Sequence, residues 1–119
     1  MFDRAKMCDR LGGDEQLVNE VIALFLEDCP VHLSAIGAAI ARCDAAALRA
    51  SAHALKGAAS NLAAPGLVQA AATLECIGAE NRMDAAVAAA RLVTTEAARL
   101  IDALQPKHND LERSACAPS

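Results

Sequence analysis

Residues 44–75, DAAALRASAHALKGAASNLAAPGLVQAAATLE, decide how this chain folds. Asp44 is a helix N-cap candidate, because its short side chain can accept a bond from a free amide of the first turn. Beyond it Leu48, Ala52, Leu55, Ala59 and Leu62 recur at intervals of three and four, the spacing of one apolar helix face. Ala63-Ala64-Pro65-Gly66 reads as a turn, with Pro65 suited to the first position of a new helix, where its missing N–H costs no bond. Leu67, Ala71 and Leu74 carry the stripe of that helix, which fades around Gly78 to Asn81. Two amphipathic helices joined by so short a turn predict an antiparallel hairpin.

The same signals recur on both sides of the hairpin. Upstream, Asp3 to about Arg10 can form a short helix stopped by Gly12-Gly13. Asp14 is then an N-cap, and Glu15 places a negative charge in the first turn, where the helix dipole favours it. Val18, Ile22, Phe25, Cys29, Leu33, Ile36 and Ile40 predict a long helix reaching about Arg42, with a kink or short break at Pro30. Downstream, Asp84 is the cap candidate for a last long helix whose stripe includes Ala86, Ala89, Val93, Ala97, Leu100 and Leu104, and Pro106 ends it. The expected fold is all-α, an antiparallel up-down-up-down four-helix bundle with a short N-terminal helix over one end. It occupies residues 1–106, and residues 107–119 form a flexible C-terminal tail. The alternative is a pair of helical hairpins needing a dimer to complete its core; a monomeric bundle is the default.

Composition agrees with this reading. Hydrophobic residues are 55% of 119, yet Trp and Tyr are absent, Phe2 and Phe25 are the only aromatics, and alanines number thirty. Alanine loses no side-chain entropy in a helix and lets helix axes approach closely, whereas a β-sandwich would want branched and aromatic residues in quantity. A net charge of −4 without a Lys/Arg cluster offers no footprint for nucleic acid. No run of about 18 uninterrupted apolar residues suggests a membrane span, and Met1-Phe2-Asp3-Arg4 does not open a signal peptide. Cys8, Cys29, Cys43, Cys76 and Cys116 are odd in number and form no C-x-x-C pair, which fits a reducing compartment. The expected location is the cytoplasm.

His53 is the residue that chemistry singles out. With about 100° per residue, it lies about 140° from the Leu48 core direction and Gly57 about 180° from it, so both face outward. Ser60 is on the same side, with Arg49 and Lys56 on the shoulder. In a chain this rich in alanine, a glycine in mid-helix, which costs roughly 1 kcal/mol relative to alanine, points to a need for clearance. Lys56 puts an ammonium near the ring, where it can balance a phosphoryl group. His53 lies eleven residues before Ala64 and Glu75 eleven after it, so an antiparallel hairpin holds them level. Glu75 can then accept from Nδ1–H of His53 and leave Nε2 bare and outward, as a phosphoryl acceptor requires. An ion pair of Glu75 with Arg42 or Arg49 is the competing reading.

His53-Ala54-Leu55-Lys56-Gly57, then Ala58-Ala59-Ser60-Asn61-Leu62 and later Leu74-Glu75, resembles the signature of histidine phosphotransfer domains of two-component phosphorelays. The family pattern is H-x-L-K-G, a run of small residues, L-G, then L-E or L-Q on the next helix. Leu11-Gly12-Gly13-Asp14, Phe25-Leu26-Glu27-Asp28 with Pro30, and Asp44 extend the resemblance to about residues 2–104. Where the family usually has Leu-Gly, this chain has Leu62-Ala63. The resemblance implies that His53 is the phosphoacceptor, Lys56 the charge stabiliser, Gly57 the clearance for a partner and Glu75 the orienter. Arg49 and Ser60 would join Gly57 in docking. It also implies receiver domains of response regulators or a hybrid histidine kinase as partners, no cofactor of its own, and Mg²⁺ only on the receiver. With no Gly-rich nucleotide loop, the chain should be a carrier without autokinase activity.

Other readings are weaker. His32 with Asp28 lacks a second ligand pair and reads as a surface histidine rather than a metal ligand. His108 lies in the tail. Cys43 and Cys76 have no adjacent base. A helical adaptor that docks receivers without carrying phosphate is the alternative function. A metal-binding bundle would need Glu-x-x-His pairs or inward histidines, which this sequence lacks.

Overall fold

In the computed structural model the described residues are 4–104. Five α-helices follow one another: α1 (Arg4–Arg10), α2 (Glu15–Ala41), α3 (Ala45–Ser60), α4 (Pro65–Ala79) and α5 (Ala86–Leu104). Around the bundle each long helix packs on its chain neighbours, and α2 closes the ring against α5. Each long helix turns one stripe inward, and Val18, Phe25, Leu48, Leu55, Leu67, Leu74, Val93 and Leu100 meet in a single core.

Local chemistry explains most of the boundaries. The carboxylate of Asp14 accepts from the Leu17 amide at 3.1 Å, and that of Asp44 from the Ala47 amide at 3.0 Å. Both act as the N-caps expected of them. Pro65 occupies the first turn of α4. Gly12 and Gly13 both have φ of 77°, which stops α1 and turns the chain toward α2. α1 then lies across one end of the bundle. Met7 is fully buried, and the Arg10 guanidinium donates to the Ser60 carbonyl at the far end of α3.

Two expectations need correction. α2 runs unbroken through Pro30, which stands on its exposed side. Proline removes one N–H bond there, but buried Phe25 and Cys29 before it and Ile36 and Ala39 after it hold both halves in the same core. Asp84 does not cap the last helix. The chain enters α5 through a 3₁₀ turn, Met83–Ala85, so Asp84 lies inside the turn rather than ahead of it. His32 is of intermediate exposure beside the core stripe of α2. Pro106, His108 and the expected tail fall outside the described residues.

α2 is long and apolar enough, by length and composition, to cross a membrane. In the bundle it buries Val18, Ile22, Phe25, Cys29, Ile36 and Ala39 on one side. Its other side exposes Leu17, Leu24 and Val31 at seven-residue intervals.

Candidate functional site

α3 and α4 pack closely because one residue has no side chain. A Cβ added at Gly78 would meet the Arg49 amide nitrogen at 2.8 Å, the Ala45 carbonyl oxygen at 2.9 Å and the Arg49 Cα at 3.0 Å. All three are backbone atoms and cannot swing aside. This crossing lies one helical turn from both His53 on α3 and Glu75 on α4. Sequence reasoning passed over Gly78 as part of the fading end of α4.

Across the crossing, Nδ1 of His53 stands 2.9 Å from Oε2 of Glu75. The other carboxylate oxygen, Oε1, is 2.7 Å from Nζ of Lys56. One carboxylate thus holds both side chains. The imidazole is 67% exposed, whereas Glu75 is only 18% exposed and Lys56 32%. The Lys56 hydrogen bond first, and then that of His53, hold the Glu75 carboxyl below the usual carboxylate range, against partial burial that would raise it. An ionised carboxylate can only accept, so the ring nitrogen facing it carries the hydrogen. In the neutral ring Nε2 is therefore the bare nitrogen, on the solvent side.

The remaining expected residues fall around this pair. Gly57 is exposed, and a Cβ there would meet nothing within 4 Å, so no packing inside the bundle asks for glycine. Arg49 is exposed and lines a shallow groove beside the ring with Ala46, Ala50 and Glu75. It does not pair with Glu75, whose cation is Lys56, and Arg42 reaches Asp44 instead at 3.7 Å. The Ser60 hydroxyl turns back to the Lys56 carbonyl at 2.9 Å rather than toward the ring. Lys56 was expected beside the phosphoryl position; at rest it is held by Glu75. At Ala63 the departure from the family pattern carries a backbone cost. The φ there is 51°, the left-handed region where glycine is unstrained and alanine is not.

The exposed apolar stripe of α2 was not anticipated. Gly37 and Ile40 on one flank of α2 line a groove with Val87, Ala90 and Thr94 of α5. Leu24 and Val31 are exposed on another side of α2, 56% and 65%. Counted back from Cys43 in the short α2–α3 connection, His53 is level with Leu33, which puts Val31 within about one turn of the ring's height.

A family model of the Hpt domain matches residues 20–105, a span that contains the entire site. The chain belongs to that family. Its role is that of a histidine phosphotransfer domain in a phosphorelay, a class of phosphocarriers. Among solved structures the Hpt domain is similar to histidine-containing phosphotransfer protein B (HptB) from Pseudomonas aeruginosa PAO1. The identity is 24%, the match covers 92% of this chain and 95% of the other, and the TM-score is 0.83. At that identity the likeness speaks for the fold of the Hpt domain. No curated protein sequence matches the chain.

Proposed function

We propose that His53 is the phosphoacceptor of this Hpt domain, taking a phosphoryl group from a receiver's aspartyl phosphate and passing it to another receiver's aspartate. The observation that carries this reading is the tether of Nδ1 to Glu75 on a ring that is otherwise mostly in solvent. Nε2 attacks phosphorus in line, the bond from phosphorus to the carboxyl oxygen breaks, and the aspartate leaves as a carboxylate. The ring keeps its Nδ1 hydrogen and gains positive charge, which the Glu75 carboxylate balances. Lys56, half-exposed beside that carboxylate, is within reach of a phosphoryl group on the neighbouring ring. Gly57 leaves the partner's backbone room to approach.

The chain's contribution to rate is positioning and charge, and Mg²⁺ belongs to the receiver's acidic residues. No cofactor and no nucleotide are required, so the domain does not phosphorylate itself. Docking uses Gly57, Arg49 and Ser60 on α3, joined by Leu24 and Val31 on the exposed side of α2. Exposed apolar side chains beside a reactive group supply the non-directional part of a transient interface. The domain works in the cytoplasm as a monomer, with neither nucleic acid nor membrane as partner.

The test is incubation with a phosphorylated receiver. Acid-labile, alkali-stable label should appear on the wild-type chain and be absent from His53→Gln. Label persisting in that variant would overturn the assignment, and no label from any of several receivers would favour an adaptor that docks without carrying phosphate.

A further inference from the structure

We infer that Gly78 is a positioning residue for phosphotransfer: the close α3–α4 crossing it permits sets the distance across which Glu75 holds His53. The inference rests on His53 being the phosphoacceptor, and it assigns a role to a residue that touches neither ring nor phosphate.

The geometry is local. The atoms facing Gly78 are the Arg49 amide nitrogen and Cα and the Ala45 carbonyl oxygen, at 2.8–3.0 Å from where a Cβ would stand. These belong to the backbone of α3 and move only if the helix moves. Arg49 is one turn before His53, and Gly78 is three residues after Glu75, so the contact and the hydrogen bond are adjacent rungs of one helix pair. Any methyl group at 78 separates the two helices or rolls one against the other, and the 2.9 Å bond from Nδ1 to Oε2 lies next to that hinge. Gly78 is buried in the last turn of α4. Its presence in so alanine-rich a sequence follows from the crossing. Gly57 and Gly37 provide the contrast, since neither would meet a neighbour with a Cβ.

A displaced Glu75 leaves the ring in place but frees its orientation. The neutral imidazole then exchanges tautomers, and part of the population presents Nε2–H, which cannot attack phosphorus. The loss is one of alignment, for which displacements near 1 Å are costly in rate.

The experiment compares wild type, Gly78→Ala, Glu75→Asp and the control Gly37→Ala, by labelling from a phosphorylated receiver and by ¹⁵N NMR of the ring nitrogens. Glu75→Asp shortens the reach by one methylene without touching the crossing, so it stands even if Gly78→Ala fails to fold. The expected result is a single Nδ1–H tautomer in wild type and Gly37→Ala. Gly78→Ala and Glu75→Asp should show mixed tautomers and labelling slowed by roughly tenfold or more, with helical content retained. Wild-type rate and a single tautomer in a folded Gly78→Ala, or in Glu75→Asp, would overturn the inference. Absence of label on wild type would instead count against His53 as acceptor, which separates the two failures.

Discussion

Nδ1 of His53 and Oε2 of Glu75 stand 2.9 Å apart although 22 residues separate them in the chain. The same carboxylate reaches Lys56 through its other oxygen at 2.7 Å. Glu75 is thus the hub, with a ring on one side and an ammonium on the other, and the consequences of altering it can be worked out.

Its pH dependence has a definite sign. The Glu75 carboxyl is held below the ordinary range by Lys56 and then His53, so its interactions are fully present above the unfolded carboxyl value of about 4.3. They are lost as pH falls through the lower folded value. Below about pH 5 the stability of wild type minus that of Glu75→Gln should shrink as pH falls. Chemical denaturation of both proteins across this range checks it, and a difference that grows on acidification would contradict it.

Lys56→Met removes the stronger of the two bonds to Glu75. The carboxyl should titrate higher, and labelling should slow by no more than about tenfold, the scale of one half-exposed ion pair. Stability should change by under about 1 kcal/mol. Carboxyl-detected NMR and the labelling rate together test this; a folded variant with wild-type titration of Glu75 would refute the shared-carboxylate geometry.

Much of this arrangement was legible from residue spacing. Asp14 and Asp44 cap their helices because capping is local, and Pro65 opens α4 for the same reason. The level match of His53 with Glu75 follows from equal counts about one turn. What escaped depended on how helices meet. Pro30 suggested a kink or short break; α2 is continuous through it, because packing on both sides outweighs one lost hydrogen bond. Asp84 resembled a cap until the chain entered α5 through a 3₁₀ turn. Gly78 and the flank of α2 that carries Leu24 and Val31 acquire meaning only from their neighbours in space. Lys56 was read as a charge for the phosphoryl group, and nothing in its spacing showed that Glu75 would reach it.

Among the described residues, three other than glycine hold positive φ at helix ends: Cys43 at 53°, Ala63 at 51° and Asn81 at 55°. Cys43 is exposed, so Cys43→Gly relieves left-handed strain with little burial lost, and should stabilise the bundle by about 1 kcal/mol. Ala63 is buried, and its methyl, worth about 0.8 kcal/mol, offsets most of the same relief, so Ala63→Gly should be close to neutral. Thermal melts of the two variants decide between these outcomes.

Val31→Glu tests the α2 flank. Val31 is among the most exposed apolar side chains, so folding stability should stay within about 0.5 kcal/mol of wild type. Receiver affinity should fall by roughly tenfold, as expected of a charge set into an apolar contact. Titration calorimetry with the receiver measures it, and unchanged affinity would remove α2 from the docking surface.

Which ring nitrogen carries the phosphate is the most direct question to ask. Phosphohistidine formed on the intact chain should be the Nε2 isomer, identified by ³¹P–¹⁵N NMR under native conditions. Phosphate on Nδ1 would require the Glu75 bond to break before transfer, and would contradict the account.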